Sequence, residues 1–351
     1  MPLLTDARLV SRGLLTAVRR PDAPWKLTIA VTWVCDQRCT HCRIWRRPRS
    51  DELDAGEWRR VFRGLGARLS WVDLTGGEVT SREDFVEIAT AAVEECPELT
   101  LLHFPTNGRR PDAVESTHRG VLAAGPRRVI LSVSLDGPPA LHDRLRGDPG
   151  AFENAVETYR RVRALGVEVY FGMTLSEYNA GEVAATLAAL QTELPGLTIR
   201  DLHANLLHIS PHYFQNEAVT ERRAPDAVSE AIARVVAERG PPRHPTHLLE
   251  HLFLRRIPEY LATGRSPLPC ASLSANAFID PAGTVYPCHV WDRPLAALRE
   301  HDFDLRRIWS LPVVLDARAD VVAERCPGCW TPCEAYPTVL ANLVHAALPL
   351  A

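Results

Sequence analysis

The sequence predicts an α/β fold built on a parallel sheet. Strand and helix signals alternate along residues 27–207, and the connections between them are short. Cysteines, a glycine pair, and Asn-Gly and Asp-Gly turns fall at the ends of the predicted strands, where barrel folds gather functional groups. By pattern alone, a doubly wound sheet and a barrel are both compatible.

The elements follow in order. Residues 27–34 (LTIAVTWV) are rich in β-branched side chains and form the first predicted strand. Residues 51–65 read as a helix, with Leu53, Trp58, Val61, Phe62 and Leu65 at helical spacing. The second strand spans 69–74 and is ended by Thr75-Gly76-Gly77; a helix over 81–95 is predicted to open on Ser81 as its N-cap. Strand three (99–104) stops at Pro105-Thr106-Asn107-Gly108, and strand four (127–135) at Asp136-Gly137-Pro138-Pro139. A helix (151–165), a strand (168–175), a helix (180–194) and a sixth strand (198–207) complete the series. Residues 211–266 are helical, clearest at 227–238, and after Ser266 the texture turns to proline, cysteine and short elements.

Composition excludes several classes. The 351 residues are 46% hydrophobic and 24% charged, ordinary for a globular protein. A net charge of -3 argues against a nucleic-acid-coating protein. No apolar run reaches the length of a membrane span. Residues 1–26 lack the features of a secretory signal and read as an amphipathic segment packed on the domain, so a cytoplasmic protein is expected. No Gly-x-Gly-x-x-Gly follows the first strand, which removes the dinucleotide-binding reading.

Eight of nine cysteines are clustered. Cys35, Cys39 and Cys42 form C-x3-C-x2-C directly after the first strand, and Cys270, Cys288, Cys326, Cys329 and Cys333 lie near the other end. Cys96 stands alone in a helical pattern and reads as a core residue. Short spacings of this kind hold metal or do redox work when no export signal is present. Three thiolates on one tight loop suit three corners of an iron-sulfur cube with the fourth iron open. Zinc, with His41 or a remote residue as fourth ligand, is the alternative.

Further motifs recur at successive strand ends. Gly76-Gly77-Glu78 follows strand two, Thr106-Asn107-Gly108 strand three, and Ser134-x-Asp136-Gly137, His142-Asp143 and Arg146-Gly147 strand four. Together with C-x3-C-x2-C, this order over residues 27–208 resembles the radical S-adenosylmethionine (radical SAM) superfamily; Val79 stands where that family usually has proline. The resemblance implies a partial (β/α)6 TIM-like barrel. It implies a SAM-binding [4Fe-4S] cluster on Cys35, Cys39 and Cys42, with the glycines letting the backbone approach the methionyl amine. SAM would be held by His41 against the adenine and by Gly76, Gly77, Glu78, Thr106, Asn107, Ser134, Asp136 and Arg146. The chemistry implied is reductive cleavage of SAM to a 5′-deoxyadenosyl radical that abstracts a substrate hydrogen, with an electron donor such as flavodoxin or ferredoxin as partner.

Beside such a barrel, Cys270-x12-Gly283-x4-Cys288 resembles the opening hairpin of the twitch and SPASM auxiliary-cluster domains, with its turn at Pro281-Ala282-Gly283. Five cysteines are too few for two clusters, so one auxiliary [4Fe-4S] cluster is implied, on Cys270, Cys288, Cys326 and Cys329, with Cys333 as competing ligand. The expected organisation is an N-terminal segment (1–26), a barrel (27–215), a helical connector (216–266) and a small C-terminal cysteine-rich iron-sulfur domain (267–351).

The sixth strand end, His203 to Tyr213, is dense in hydrogen-bonding groups. His203, Asn205, His208 and Tyr213 are expected to line the cavity and face a small sugar-like or aminocyclitol substrate, which would be oxidised or epimerised. Peptide-modifying relatives often carry a fused recognition module ahead of the barrel, and only 26 residues precede strand one here. A maturase acting on a ribosomal precursor peptide is the alternative, and a non-catalytic zinc protein the remote one.

Overall fold

The computed structural model describes residues 2–48, 51–219 and 224–347. Met1 of the N-terminal segment, residues 49–50 of the barrel, residues 220–223 of the connector and residues 348–351 of the C-terminal domain lie outside the described residues.

Six parallel strands form the centre: β1 (Lys26–Thr32), β2 (Trp71–Gly76), β3 (Leu101–Thr106), β4 (Val129–Ser134), β5 (Glu168–Leu175) and β6 (Leu202–Leu206). Three more, β7 (Asn276–Ile279), β8 (Thr284–Tyr286) and β9 (Ala296–Ala297), extend the sheet, whose order is β6-β5-β4-β3-β2-β1-β7-β8-β9. The helices of the barrel are α1 (Pro2–Val18), α2 (Ala55–Leu65), α3 (Phe85–Glu95), α4 (Pro111–Ala123), α5 (Pro139–Arg146), α6 (Ala151–Ala164) and α7 (Val183–Glu193). The connector and C-terminal part add α8 (Pro225–Arg239), α9 (Pro245–Arg255), α10 (Ile257–Thr263), α11 (Leu305–Trp309), α12 (Pro312–Val322), α13 (Pro332–Ala341) and α14 (Leu343–Ala347). This is the partial (β/α)6 barrel the motifs imply.

The strands sort their side chains by period two. On β5, Val169, Phe171 and Met173 enter the main core, while Tyr170, Gly172 and Thr174 face the barrel interior. β1 is buried along its whole length because β2 and β7 flank it and both faces are covered. A second apolar cluster around Leu9, Trp25, Trp71 and Leu340 joins α1 to α13 at the strand starts. Gly13 allows that approach, since a Cβ there would lie 2.5 Å from the Leu340 carbonyl oxygen. The N-terminal segment therefore packs on the fold, as expected.

Two expectations are corrected. The helix predicted over 81–95 begins at Phe85, and Ser81 belongs to a preceding 3-10 turn, Val79–Ser81. Arg82 pins that turn by donating to the Val31 and Leu53 carbonyls and pairing with Asp84. The sixth strand is shorter than 198–207, because Thr198 and Asp201 cap a 3-10 turn before Leu202. In the C-terminal cysteine segment, β7 pairs in parallel with β1, Lys26 opposite Asn276, and so continues the sheet of the barrel.

Candidate functional site

The cysteine loop follows β1 directly and is held mainly by backbone bonds. Arg38 and Thr40 donate their N–H groups to the Arg146 and Leu145 carbonyls at the end of α5, at 3.1 and 2.9 Å. Arg43 N–H reaches Phe214 O at 2.8 Å, and Asn216 Nδ2 donates to His41 O at 3.0 Å. Cys35, Cys39, Cys42 and His41 all face one cavity of about 410 Å³ that runs along the inner face of β1 to β6. Burial pushes the Cys35 thiol up to about 12 and raises those of Cys39 and Cys42, each loop thiol also feeling a neighbouring one or Asp136. Arg146 works the other way on Cys39, with Nη1 3.7 Å from the sulfur. Buried thiols of this kind are neutral until a metal deprotonates them. Among the described residues no three His, Cys, Asp or Glu side chains converge tightly enough for a single ion; what the thiols share is a cavity wall. That soft, one-sided donor set fits an iron-sulfur cluster.

Gly76 and Gly77 lie on the same wall, but their lack of a Cβ serves the protein itself. A Cβ on either would fall 2.2 Å from a carbonyl oxygen beyond or at the end of β1, Thr32 O for Gly76 and Val34 O for Gly77. Gly77 and Glu78 donate their N–H groups to those same carbonyls at 2.8 Å each. They bring the end of β2 against the cysteine loop while both remain on the cavity wall.

Glu78 is buried away from the cavity. Its carboxylate accepts from Thr80, from Thr106 Oγ1 at 2.9 Å and from Asn107 N–H at 2.7 Å. Burial raises its pKa, against these hydrogen bonds. Glu78 therefore braces the turn after β3, while Thr106 and Asn107 reach the cavity and Asn107 Nδ2 donates to Asp36 in the cysteine loop at 2.7 Å. Ser134 lines the cavity. Asp136, expected against SAM, is buried behind the wall, pairs with Arg146 Nη2 at 2.7 Å and accepts from Thr174 N–H at 2.9 Å. Arg146 lines the cavity with its guanidinium shared between Asp136 and Cys39.

Of the four expected substrate residues, His203, Asn205 and Tyr213 line the cavity and His208 does not. His208 is buried, donates from Nδ1 to Leu206 O at 2.9 Å, accepts from Trp330 N–H at 3.3 Å and stacks on Tyr260. Asn205 accepts from Leu206 N–H at 2.7 Å. Tyr213 shares a 2.9 Å hydrogen bond with Thr75 and donates to Gly76 O at 3.3 Å. Much of the polarity at this strand end is thus used internally.

The C-terminal cysteines divide. Cys270, Cys288, Cys326 and Cys329 lie within electrostatic reach of one another, with Cys288 beside each of the other three. Ser272 and Trp291 N–H groups point at the Cys270 and Cys288 sulfurs, at 3.5 and 3.3 Å. Cys333 faces the main cavity instead, against Thr28, Lys26 and Asp73.

Sequence reasoning missed a charged inner wall. Lys26, Asp73 and His103 form one network there and His203, Glu250, Tyr336 and Arg239 another. Asp73 and His103, polar at inward positions of apolar strands, were legible as a signal; Glu250 and Tyr336 arrive from distant helices with none.

Residues 29–190 match the family model of the Radical SAM superfamily. That stretch is a radical SAM domain, whose cofactors are SAM and a [4Fe-4S] cluster, and the C-terminal segment is of the twitch or shortened SPASM kind, which carries an auxiliary [4Fe-4S] cluster. It is 28% identical over 323 residues to the PqqA peptide cyclase of Ruegeria pomeroyi, covering 88% of this chain and 80% of that protein. It is 28% identical over 163 residues to the sporulation killing factor maturation protein SkfB of Bacillus subtilis, which spans 46% of this chain and only 38% of SkfB. Among solved structures, Streptococcus suis SuiB bound to precursor peptide SuiA shares the fold, with a TM-score of 0.59 at 15% identity, over 90% of this chain and 71% of that one. No described helix is long and apolar enough to cross a membrane.

These relatives overturn the expected sugar-like or aminocyclitol substrate. The physical reason lies at β6, where the polar groups read as substrate-facing are in large part bonded to the protein's own chain.

Proposed function

We propose that this chain is a maturase that oxidatively modifies a ribosomally made precursor peptide in the cytoplasm. The observation that carries this reading is the match to a PqqA peptide cyclase across most of both chains. The reaction type we assign is oxidoreductive, the net loss of two hydrogens from the peptide: one would leave as a hydrogen atom to the 5′-deoxyadenosyl radical and one as a proton, and the electron left over would pass to the auxiliary cluster.

Cys35, Cys39 and Cys42 would hold the SAM-binding cluster, and Cys270, Cys288, Cys326 and Cys329 the auxiliary one. When bound, the first cluster and SAM supply a 5′-deoxyadenosyl radical able to take a hydrogen atom from carbon. The chain's own residues do the rest. Arg146 offsets negative charge at Cys39. Glu78 fixes Thr106 and Asn107, and Tyr213 ties β2 to the loop after β6, so the cavity wall is set before substrate arrives. The helices and α1 keep water from the interior. A small acidic electron carrier, flavodoxin or ferredoxin, is the proposed reductant.

Cys333 is assigned no ligand role, because it faces Lys26 and the cavity while the other four cysteines face one another. Cys333→Ala should retain its full iron content after anaerobic reconstitution, whereas Cys329→Ala should lose about four irons per chain. Iron loss at Cys333 with retention at Cys329 would reverse the assignment.

The functional reading is tested by co-expressing the chain with short open reading frames adjacent to its gene. A peptide lighter by two hydrogens, made only with intact cysteines, is expected. If none changes mass while the purified enzyme still cleaves SAM, the peptide reading is lost.

A further inference from the structure

We propose that His203 is the residue that exchanges a proton with the peptide, and that Glu250 and Tyr336 hold it in place for that purpose. The proposal rests on the peptide-maturase reading and deepens it.

His203 stands on β6 in the cavity wall. Its Nδ1 lies 2.8 and 2.9 Å from the two carboxylate oxygens of Glu250 on α9. The Tyr336 hydroxyl from α13 donates to the same carboxylate, and Arg239 Nη2 from α8 lies 3.3 Å from it. The His203 ring is also stacked on Phe253, centroids 5.9 Å apart. A carboxylate accepts only, so Nδ1 must carry the proton and donate it. The other ring nitrogen, Nε2, has no protein partner among the described residues. The imidazole is therefore fixed in one tautomer, with its basic nitrogen left for a ligand.

The charges around it keep Glu250 a carboxylate, an acceptor for Nδ1–H. Burial opposes ionisation of Glu250, but His203, Arg239 and the two hydrogen bonds outweigh it and hold the carboxyl down to about 2. Burial and Glu250 together raise the Tyr336 phenol, which stays a donor. Tyr170 on β5 and His247 on α9 also feel Glu250.

Other titratable groups of the cavity wall are engaged. His103 is bonded at both ring nitrogens, to Asp73 at 3.1 Å and Ser132 at 3.0 Å. The Tyr213 hydroxyl is taken by Thr75 and Gly76. A second histidine-glutamate pair, His289 with Glu334, sits next to Cys288 and belongs with that cysteine group.

The step is a proton transfer. An O–H or N–H bond beside the reacting carbon of the peptide breaks, Nε2–H forms, and the electron pair stays on the peptide. The imidazolium so made is balanced by the Glu250 carboxylate. A positioned general base contributes about 10²- to 10⁴-fold.

Two measurements decide it. In the full chain labelled with ¹⁵N-histidine, NMR should show His203 protonated at Nδ1 and bare at Nε2 at neutral pH; an Nε2–H tautomer overturns the proposal. With the reconstituted enzyme, SAM, dithionite and the peptide whose mass changed above, His203→Ala should make about a hundredfold less modified peptide per 5′-deoxyadenosine, and added imidazole should restore at least about tenfold. His203→Gln, which keeps the side chain polar, should show the same loss without imidazole rescue if alanine fails to fold. A ratio within about twofold of wild type in either variant overturns the assignment. Absence of any modified peptide sinks the maturase reading alone, since the tautomer is read without one.

Discussion

Replacing Cys35, Cys39 and Cys42 together with alanine should halve the iron, from about eight to about four per chain, and abolish reductive cleavage of SAM. The variant should still fold. The loop is held by N–H bonds to Arg146, Leu145 and Phe214, none of which involves a thiol. The side chains removed are small, and burial keeps them neutral in the bare protein, with Cys35 pushed up to about 12. No buried charge is stranded by the change. Cys96→Ala is the matched control: that thiol is buried beside Phe62 O at 3.5 Å, far in the fold from the cavity wall, and its loss should leave the iron at about eight. Iron analysis and 5′-deoxyadenosine formation under dithionite read both variants. If the triple variant keeps its iron and still makes 5′-deoxyadenosine, the loop is not the SAM-cluster site.

The features legible in the sequence were those with a local signal. β-branched runs and the turns that end them placed all six barrel strands, and the hairpin turn at Pro281-Ala282-Gly283 lies between β7 and β8 as read. The cysteine spacing located the loop after β1, and the texture change after Ser266 located the auxiliary segment, though not its continuity with the sheet. What failed was the meaning of polarity at a strand end. His208 and Glu78 carry the same side-chain types as cavity residues, yet each is turned inward by partners remote in sequence or by the turn of its own chain: Trp330 for His208, Thr106 and Asn107 for Glu78. A single strand pattern cannot tell a polar group waiting for a ligand from one already satisfied by a distant helix. His203 is a mixed case. Its place on the wall was legible, but the atom that makes it chemically distinct depends on Glu250 and Tyr336, 47 and 133 residues away.

Breaking the Lys26–Asp73 pair should cause the largest loss of stability of any single substitution in the barrel interior. Lys26 is fully buried, and its three ammonium hydrogens are matched by Asp73 Oδ2, Thr28 Oγ1 and Cys333 O, each at 2.7 Å. Asp73 accepts in addition from Trp71 Nε1 at 2.7 Å and meets His103 at 3.1 Å. Asp73→Ala leaves an ammonium buried without its counter-ion, and removing one partner of such a pair costs about 3–5 kcal/mol. The double variant Lys26→Met with Asp73→Leu removes both charges and should recover most of that loss, because an apolar pair of similar volume avoids the desolvation penalty altogether. Chemical denaturation of the three proteins measures it; a cost below about 1 kcal/mol for Asp73→Ala would mean that water or a rearranged Glu334 reaches Lys26. The pH dependence has a fixed sign. Burial opposes the charge on both groups, but their mutual attraction lowers the Asp73 pKa and raises that of Lys26. A depressed carboxyl adds stability above its unfolded value of about 4 and loses it as pH falls further, and a raised amine adds stability below about 10 and loses it above. The pair therefore contributes a flat term through neutral pH, and Asp73→Ala should lose the acid limb. The same pair also sets function at a distance. Thr28 faces Asp73 in the register that carries β1 into the cysteine loop and β2 into Gly76 and Gly77, so a slip at these strands would move both walls of the site together.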